Sequence, residues 1–234
     1  MTRIVILLAS TDALPLVDGT NRPCGFWAEE VVGPWQLFSD HGAEVVVATP
    51  DGGAAPVEEA SLVPESASLS RAECDRLAAW LDEHAWELKS PQTADLLNMS
   101  AVDGVYVPGG YAPLAQLHNH RAVATLLDRA RRAGTPIATV CHGTAALLSL
   151  HEPAGEAWPF TGRALTGFSD AEEDSVGLTG KLSWTLEGAL VGAGADYRCA
   201  APWSEHVLEH AGLVTGQNPA SSMGVARALL GQVG

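Results

Sequence analysis

Positive charge is scarce in this chain. Thirteen Lys+Arg stand against 28 Asp+Glu in 234 residues, a formal net charge of −15. A surface of that sign repels phosphate backbones and anionic headgroups, so neither nucleic acid nor membrane is expected as a partner. Cysteine is sparse as well. Cys24, Cys74, Cys141 and Cys199 are scattered with no CxxC spacing, which argues against a disulfide framework or a zinc knuckle and reads as reduced thiols of a cytoplasmic protein. Long apolar runs are missing too. No stretch approaches the roughly 20 apolar residues of a membrane helix, and the run Ile4 to Ala9 is too short for the core of an export signal. Internal repeats and low-complexity segments are absent.

What remains is a balanced composition, 47% hydrophobic and 18% charged, that suits a folded domain and not a disordered one. The apolar runs are spread evenly, so residues 1–234 are expected to form a single domain. Arg3 to Ser10 (RIVILLAS) and Glu44 to Thr49 (EVVVAT) are continuous aliphatic runs, as in strands buried on both faces of a parallel sheet. Between them Phe26 to His41 is expected to be helical, with a kink or break at Pro34. Arg71 to Leu88 is expected to be one covering helix. Gly104 to Val107 and Pro136 to Val140 are further strands, separated by a helix over Arg121 to Ala133 with a basic last turn. Helices over Gly143 to Leu150, near Thr185 to Ala193 and over Ser222 to Leu230, with a strand at Leu213 to Thr215, complete the pattern. Strands alternating with helices imply a flavodoxin-like, doubly wound, mostly parallel α/β sheet with helices on both faces.

Ligands of such sheets bind beyond the carboxyl ends of the strands. Two loops fall there. Pro108-Gly109-Gly110-Tyr111 offers backbone amides on glycines that allow close approach. Val140-Cys141-His142-Gly143 places a thiol at a strand-to-helix turn, where the helix N-terminus and a neighbouring imidazolium would stabilise a thiolate. Cys141 is therefore the candidate nucleophile, and the glycine loop a candidate oxyanion donor. Cys24, Cys74 and Cys199 read as small buried hydrophobes.

These residues carry a resemblance. Gly25-Phe26-Trp27-Ala28-Glu29-Glu30, Ala48-Thr49-Pro50-Asp51-Gly52-Gly53, Pro108-Gly109-Gly110, Ala138 to Gly143, Trp158-Pro159-Phe160, Thr166-Gly167-Phe168 with Glu172-Glu173, and Leu213 to Ser222 resemble the ThiJ/PfpI superfamily, which has a class I glutamine-amidotransferase-like fold. The chain is most similar to the branch of glutathione-independent glyoxalases (glyoxalase III) and heat-shock-inducible holding chaperones. The resemblance implies Cys141 as nucleophile, His142 as the adjacent histidine and Glu30 as the carboxyl that contacts the sulfur and moves protons. It puts the acidic member of the triad on Glu173, with Asp170 and Glu172 close enough to compete. Where the branch commonly continues Gly-Gly with His-Gly, this chain has Tyr111-Ala112. The N–H of Gly110 is kept, so an oxyanion hole with the N–H of His142 is expected, while Tyr111 re-lines the pocket.

The implied activity is conversion of methylglyoxal or a similar small aldehyde to a 2-hydroxy acid, without cofactor or metal, in a protein expected to be a homodimer. A holding chaperone, or a cysteine-dependent amidase, peptidase or deglycase, is the alternative. Two other motifs are set aside. His206-Val207-Leu208-Glu209-His210 has the H-x-x-E-H spacing of a zinc-peptidase helix but no third ligand, and reads as a surface helix face. His118-Asn119-His120 reads as a solvated loop.

Overall fold

The computed structural model describes residues 1–151 and 157–233. Arg3–Leu7 (β1), Glu44–Thr49 (β2), Gln92–Thr93 (β3), Gly104–Val107 (β4), Ile137–Val140 (β5), Val207–His210 (β6) and Leu213–Gly216 (β7) form a seven-stranded sheet in the order β6-β7-β5-β4-β1-β2-β3. Every neighbouring pair is parallel except β6 with β7. The register aligns Val5 of β1 with Val46 of β2 on one side and Val105 of β4 on the other. All four residues of β4 and of β5 are buried, as their unbroken apolar sequences require of strands covered on both faces. The fold is the flavodoxin-like, doubly wound α/β arrangement expected.

Six longer helices surround the sheet: Ala28–Asp40 (α1), Arg71–Glu83 (α2), Arg121–Ala133 (α3), Asp170–Ser175 (α4), Leu186–Gly192 (α5) and Ser222–Gln232 (α6). Helices α1 and α6 pack together over β4, and α3 packs on β5 and the segment that follows it. Helix α1 begins later than its apolar periodicity suggests. Phe26 bridges to Val57 as extended chain, so the helix opens only at Ala28, with Glu29 and Glu30 in its first turn.

Pro34 does not break α1, which runs unbroken through it. Four residues before it, the carbonyl of Glu30 accepts a hydrogen bond from the Tyr106 hydroxyl at 2.9 Å, in place of the N–H that proline lacks. The helix expected over Arg71 to Leu88 is two, Arg71–Glu83 and Ala85–Lys89. The His84 ring stacks on Trp80 at 3.6 Å and its Nδ1–H donates to the Trp80 carbonyl at 2.9 Å, ending the first helix by side-chain capping. The segment after β5 is helical from Cys141 to Leu150 but wound as a 3₁₀ helix.

The His206 to His210 segment is not a helix face. Residues 207–210 are the antiparallel edge strand β6, since pairing with Leu213–Gly216 across a two-residue turn satisfies its backbone. His118 is not in a solvated loop either: it is half-buried, 4.9 Å from the Trp184 ring, and His120 accepts from the Ala122 N–H to cap α3. Cys24 and Cys74 are buried as expected, but Cys199 is exposed because it falls in the loop between Tyr197 and β6. No helix among the described residues is long and apolar enough to cross a membrane.

Candidate active site

Three chain segments meet at the carboxyl ends of β4 and β5. The turn after β5 presents Cys141, whose backbone is left-handed (φ 56°) although it is not a glycine. That conformation costs roughly 1–3 kcal/mol and persists only where the surroundings enforce it. The enforcement comes from the loop after β4. At Gly109 an added Cβ would lie 2.7 Å from Cys141 Cβ and 3.1 Å from its sulfur, so only glycine lets the two loops meet. Gly110 has φ +89° and faces the backbone of residues 25 to 27, a second position closed to side chains.

The third segment is the first turn of α1. Glu30 is fully buried, and its Oε2 accepts the Gly109 N–H at 2.6 Å. The Trp27 N–H donates back to the Gly109 carbonyl at 3.1 Å, which ties the helix start to the glycine loop. Burial raises the Glu30 carboxyl from its ordinary 4.5 to about 8, against the opposing effects of the Gly109 N–H and the Cys141 thiol. This carboxyl therefore holds a proton at neutral pH.

The thiol does not match the expectation of a stabilised thiolate. Burial, and next the adjacent Glu30, push Cys141 well above its ordinary value. The backbone N–H groups of His142 and Gly110 act on the sulfur in the opposite sense but do not outweigh burial. Glu30 and Cys141 are thus two neighbouring acids that cannot both ionise freely, and the carboxyl of Glu30 keeps its proton up to about pH 8.

His142 lies 3.7 Å from the Cys141 sulfur through Nδ1 and 2.6 Å from Glu173 Oε1 through Nε2. With Glu173 as the acceptor, Nε2 carries the hydrogen and Nδ1 is left free to accept from sulfur. The imidazole is buried between the rings of Tyr111 and Phe168, both at 4.4 Å.

Glu172 and Glu173 are adjacent carboxylates with different partners. Ser169 and Glu172 form a capping box that starts α4. The Oε1 of Glu172 accepts from the Trp203 N–H, Gln217 Nε2 and Asn218 Nδ2, so this carboxylate is committed to joining the loop at Trp203 to the one at Gln217-Asn218. The next residue projects about 100° around the helix, and Glu173 reaches His142. Asp170 is exposed and its N–H donates to Glu187. Of the three candidates, only Glu173 contacts the imidazole.

Tyr111 is buried, and its hydroxyl donates to Glu173 Oε2 at 2.8 Å. Burial and the nearby Glu173 raise the phenol far above its ordinary value, so it is always a donor here. Its N–H donates to the buried Glu58 at 2.8 Å, and the Arg22 guanidinium lies 4.5 Å from its ring centre and 3.1 Å from Glu58. Sequence reasoning missed Glu58, Arg22 and Tyr106. The first two stand in loops with no periodic or motif signal. Tyr106 was signalled by a hydroxyl inside an apolar strand, which needs a partner, and by Pro34, which leaves an acceptor without one.

Surface cavities of about 290 and 590 Å³ open elsewhere, beside Arg121 and Ser149 and beside Phe26 and Leu81, and neither touches Cys141. Cys141 itself is buried, 4% exposed. Among the described residues no group of three or more His, Cys, Asp or Glu is arranged to hold a metal ion.

Comparison with known proteins bears on this constellation. The family model described as "DJ-1/PfpI family" matches residues 24–232. The chain belongs to the DJ-1/PfpI family. It is 24% identical to glyoxalase 3 of Candida albicans over 97% of this chain and 96% of the relative. It is 26% identical to the glutathione-independent glyoxalase hsp3101 of Schizosaccharomyces pombe, over 97% and 94%. The protein/nucleic acid deglycase HchA of Pseudomonas aeruginosa is 29% identical over 77% of this chain and 64% of the relative. Among solved structures, the rapid encystment protein of Francisella tularensis superimposes with a TM-score of 0.86 at 25% identity, covering all of both chains. The glyoxalase III of Candida albicans gives 0.83 at 23%, covering 100% of this chain and 98% of that one.

Proposed function

We propose that this DJ-1/PfpI protein is a glutathione-independent glyoxalase acting on methylglyoxal or a similarly small 2-oxoaldehyde, with Cys141 as its nucleophile. The observation that carries the reading is the buried Glu30, holding a proton near neutral pH beside a thiol that His142 faces from 3.7 Å. Isomerising a 2-oxoaldehyde requires a nucleophile and a group that both gives and takes protons, and these residues supply both. The relatives named as glyoxalases, matched over nearly their full lengths, support the same reading. The 4% exposure of Cys141 favours a small substrate over a folded protein surface.

The steps balance without an external oxidant. As the aldehyde enters, the thiol proton passes to His142 Nδ1 and sulfur bonds to the aldehyde carbon. The oxygen that gains charge meets the N–H groups of Gly110 and His142 and is then protonated, giving a hemithioacetal. The hydrogen on that carbon leaves as a proton to the basic member of the Glu30–His142 pair while the ketone oxygen takes the proton held by the other member, forming an enediol. Reprotonation at the adjacent carbon yields a thioester of the 2-hydroxy acid, which water hydrolyses to release the acid and the thiol. Glu173 orients His142 and balances its positive charge, and Tyr111 holds Glu173.

The test is formation of lactate from methylglyoxal without glutathione, by the intact chain and by Cys141→Ala. Lactate from the former and none from the latter is expected. Equal turnover by both would remove Cys141 from the chemistry.

A further inference from the structure

Pro34 stands inside α1, four residues after Glu30. In a helix the N–H at that position would serve the Glu30 carbonyl, and proline has none. Because Glu30 is fully buried, its carbonyl needs a donor from the protein. The donor is Tyr106, at 2.9 Å. Tyr106 is itself fully buried, its ring edge-on to Phe38 of α1 at 5.6 Å, and burial together with the neighbouring acids Glu30 and Cys141 keeps its phenol protonated.

The placement of this hydroxyl is more specific than satisfaction of one acceptor. Strand β4 carries Tyr106 and runs on into Gly109. One strand therefore holds Glu30 at two points, its backbone carbonyl through the Tyr106 hydroxyl and its side-chain Oε2 through the Gly109 N–H. We propose that Tyr106 is a positioning residue for Glu30. Its hydroxyl takes over the backbone contact that Pro34 forfeits and so fixes the carboxyl against the Cys141 sulfur. The charged and titratable groups that bear on Glu30 are Glu29 on its own helix, Glu58 from the facing loop, Cys141 and Tyr106. This inference rests on the role given to Glu30 above.

Tyr106→Phe keeps the ring packing and removes the donor to the Glu30 carbonyl, together with the hydroxyl's hydrogen bond to Ser222. The readouts are turnover of methylglyoxal and, independently of it, the pH dependence of Cys141 alkylation by iodoacetamide, followed by mass spectrometry in a Cys199→Ser background. Tyr106→Phe is expected to lower kcat about five- to tenfold with KM little changed, the scale of one lost hydrogen bond that must hold a reacting group in place. It is also expected to shift the alkylation profile, because the carboxyl whose ionisation is coupled to that of the thiol is no longer held. Pro34→Ala restores an N–H four residues after Glu30, so Pro34→Ala/Tyr106→Phe should recover most of both losses. A packing role for Tyr106 predicts no such rescue. The inference is overturned if Tyr106→Phe leaves kcat and the alkylation profile as they were, or if the folded double variant is no better than Tyr106→Phe. If the unaltered chain turns over no methylglyoxal, the glyoxalase reading fails, and the alkylation profiles still decide the role of Tyr106.

Discussion

Glu30→Gln exchanges the buried carboxyl for a neutral group of the same shape, close to the protonated form that the fold favours. The amide oxygen of the substituted side chain can still accept the Gly109 N–H that Glu30 Oε2 takes at 2.6 Å, so the backbone need not move. In the natural chain the folded carboxyl titrates near 8 against an ordinary 4.5. A value raised in the folded state stabilises fully below the unfolded value and loses that benefit as pH rises through the folded one. Stability should therefore decline between about pH 4.5 and 8 relative to a chain without this group. At about 1.36 kcal/mol per pH unit the interval corresponds to roughly 4–5 kcal/mol, an upper bound because the titration of Glu30 is coupled to that of Cys141. Glu30→Gln should match the natural chain in thermal unfolding near pH 5 and gain on it steadily toward pH 8, each kcal/mol amounting to about 2–4 °C at this chain length. Turnover should fall by about 10²- to 10⁴-fold, the usual loss when a proton-moving group is removed. Unfolding scans from pH 5 to 8, with lactate assays on the same samples, check both. A difference in Tm that does not grow with pH would refute the protonated carboxyl. Full activity of the variant would leave proton movement to His142 alone.

Exchanging Glu173 for Gln should reduce turnover with the fold kept, whereas Glu172→Gln should chiefly lower Tm, by the equivalent of about 3 kcal/mol, because it disrupts the buried network joining Trp203, Gln217 and Asn218. Thermal scans and kcat on both variants test this assignment, and a folded Glu172→Gln with the larger loss of kcat would reverse it. Removing the hydroxyl in Tyr111→Phe takes one donor from Glu173 and should cost about tenfold in kcat, measured by the lactate assay, with the protein still folded. Gly109→Ala should abolish Cys141 alkylation and turnover, since the new methyl would sit 2.7 Å from Cys141 Cβ. Among the four thiols, Cys199 should be alkylated first at neutral pH because it is exposed while Cys141 is buried with a raised thiol, a ranking that peptide mapping after limiting reagent reads directly.

The sheet was legible in the sequence because its strands are buried on both faces and so spell continuous aliphatic runs, as at Ile4 to Leu7 and Val45 to Ala48. The junction at Cys141 was legible for the same reason, a buried strand ending at a residue that chemistry can use. Where side chains overrode the periodicity the reading failed. His84 ends a helix by bonding the Trp80 carbonyl, and the His206 to His210 segment pairs as a strand because Leu213–Gly216 is within reach of a two-residue turn. The protonation of Cys141 could not be read locally. Its neighbours in sequence promised stabilisation of the anion, but burial in the assembled fold opposes it, and so does Glu30, which arrives from another segment of the chain.

Burial of that thiol and the reactivity proposed for it pull in opposite directions, and the geometry indicates how both are met. A resting thiolate would be open to oxidation, with reactivity following thiolate character and access. Burial and the adjacent Glu30 favour the protonated sulfur, so the proposed reaction defers ionisation until a substrate is present. In the proposed reaction the aldehyde is neutral and brings an electrophilic carbon, and its oxygen takes up the charge that the sulfur gives away. The N–H groups of Gly110 and His142, which only partly offset burial in the resting site, would in that proposal meet a charge spread over sulfur and oxygen. His142 Nδ1, turned to the sulfur with Nε2 on Glu173 and the ring between Tyr111 and Phe168, is placed to receive the proton in the proposed bond formation. The rate of Cys141 alkylation by a non-acidic reagent should therefore fall with Glu173→Gln even though that residue never touches sulfur, because the proton would lose its oriented acceptor.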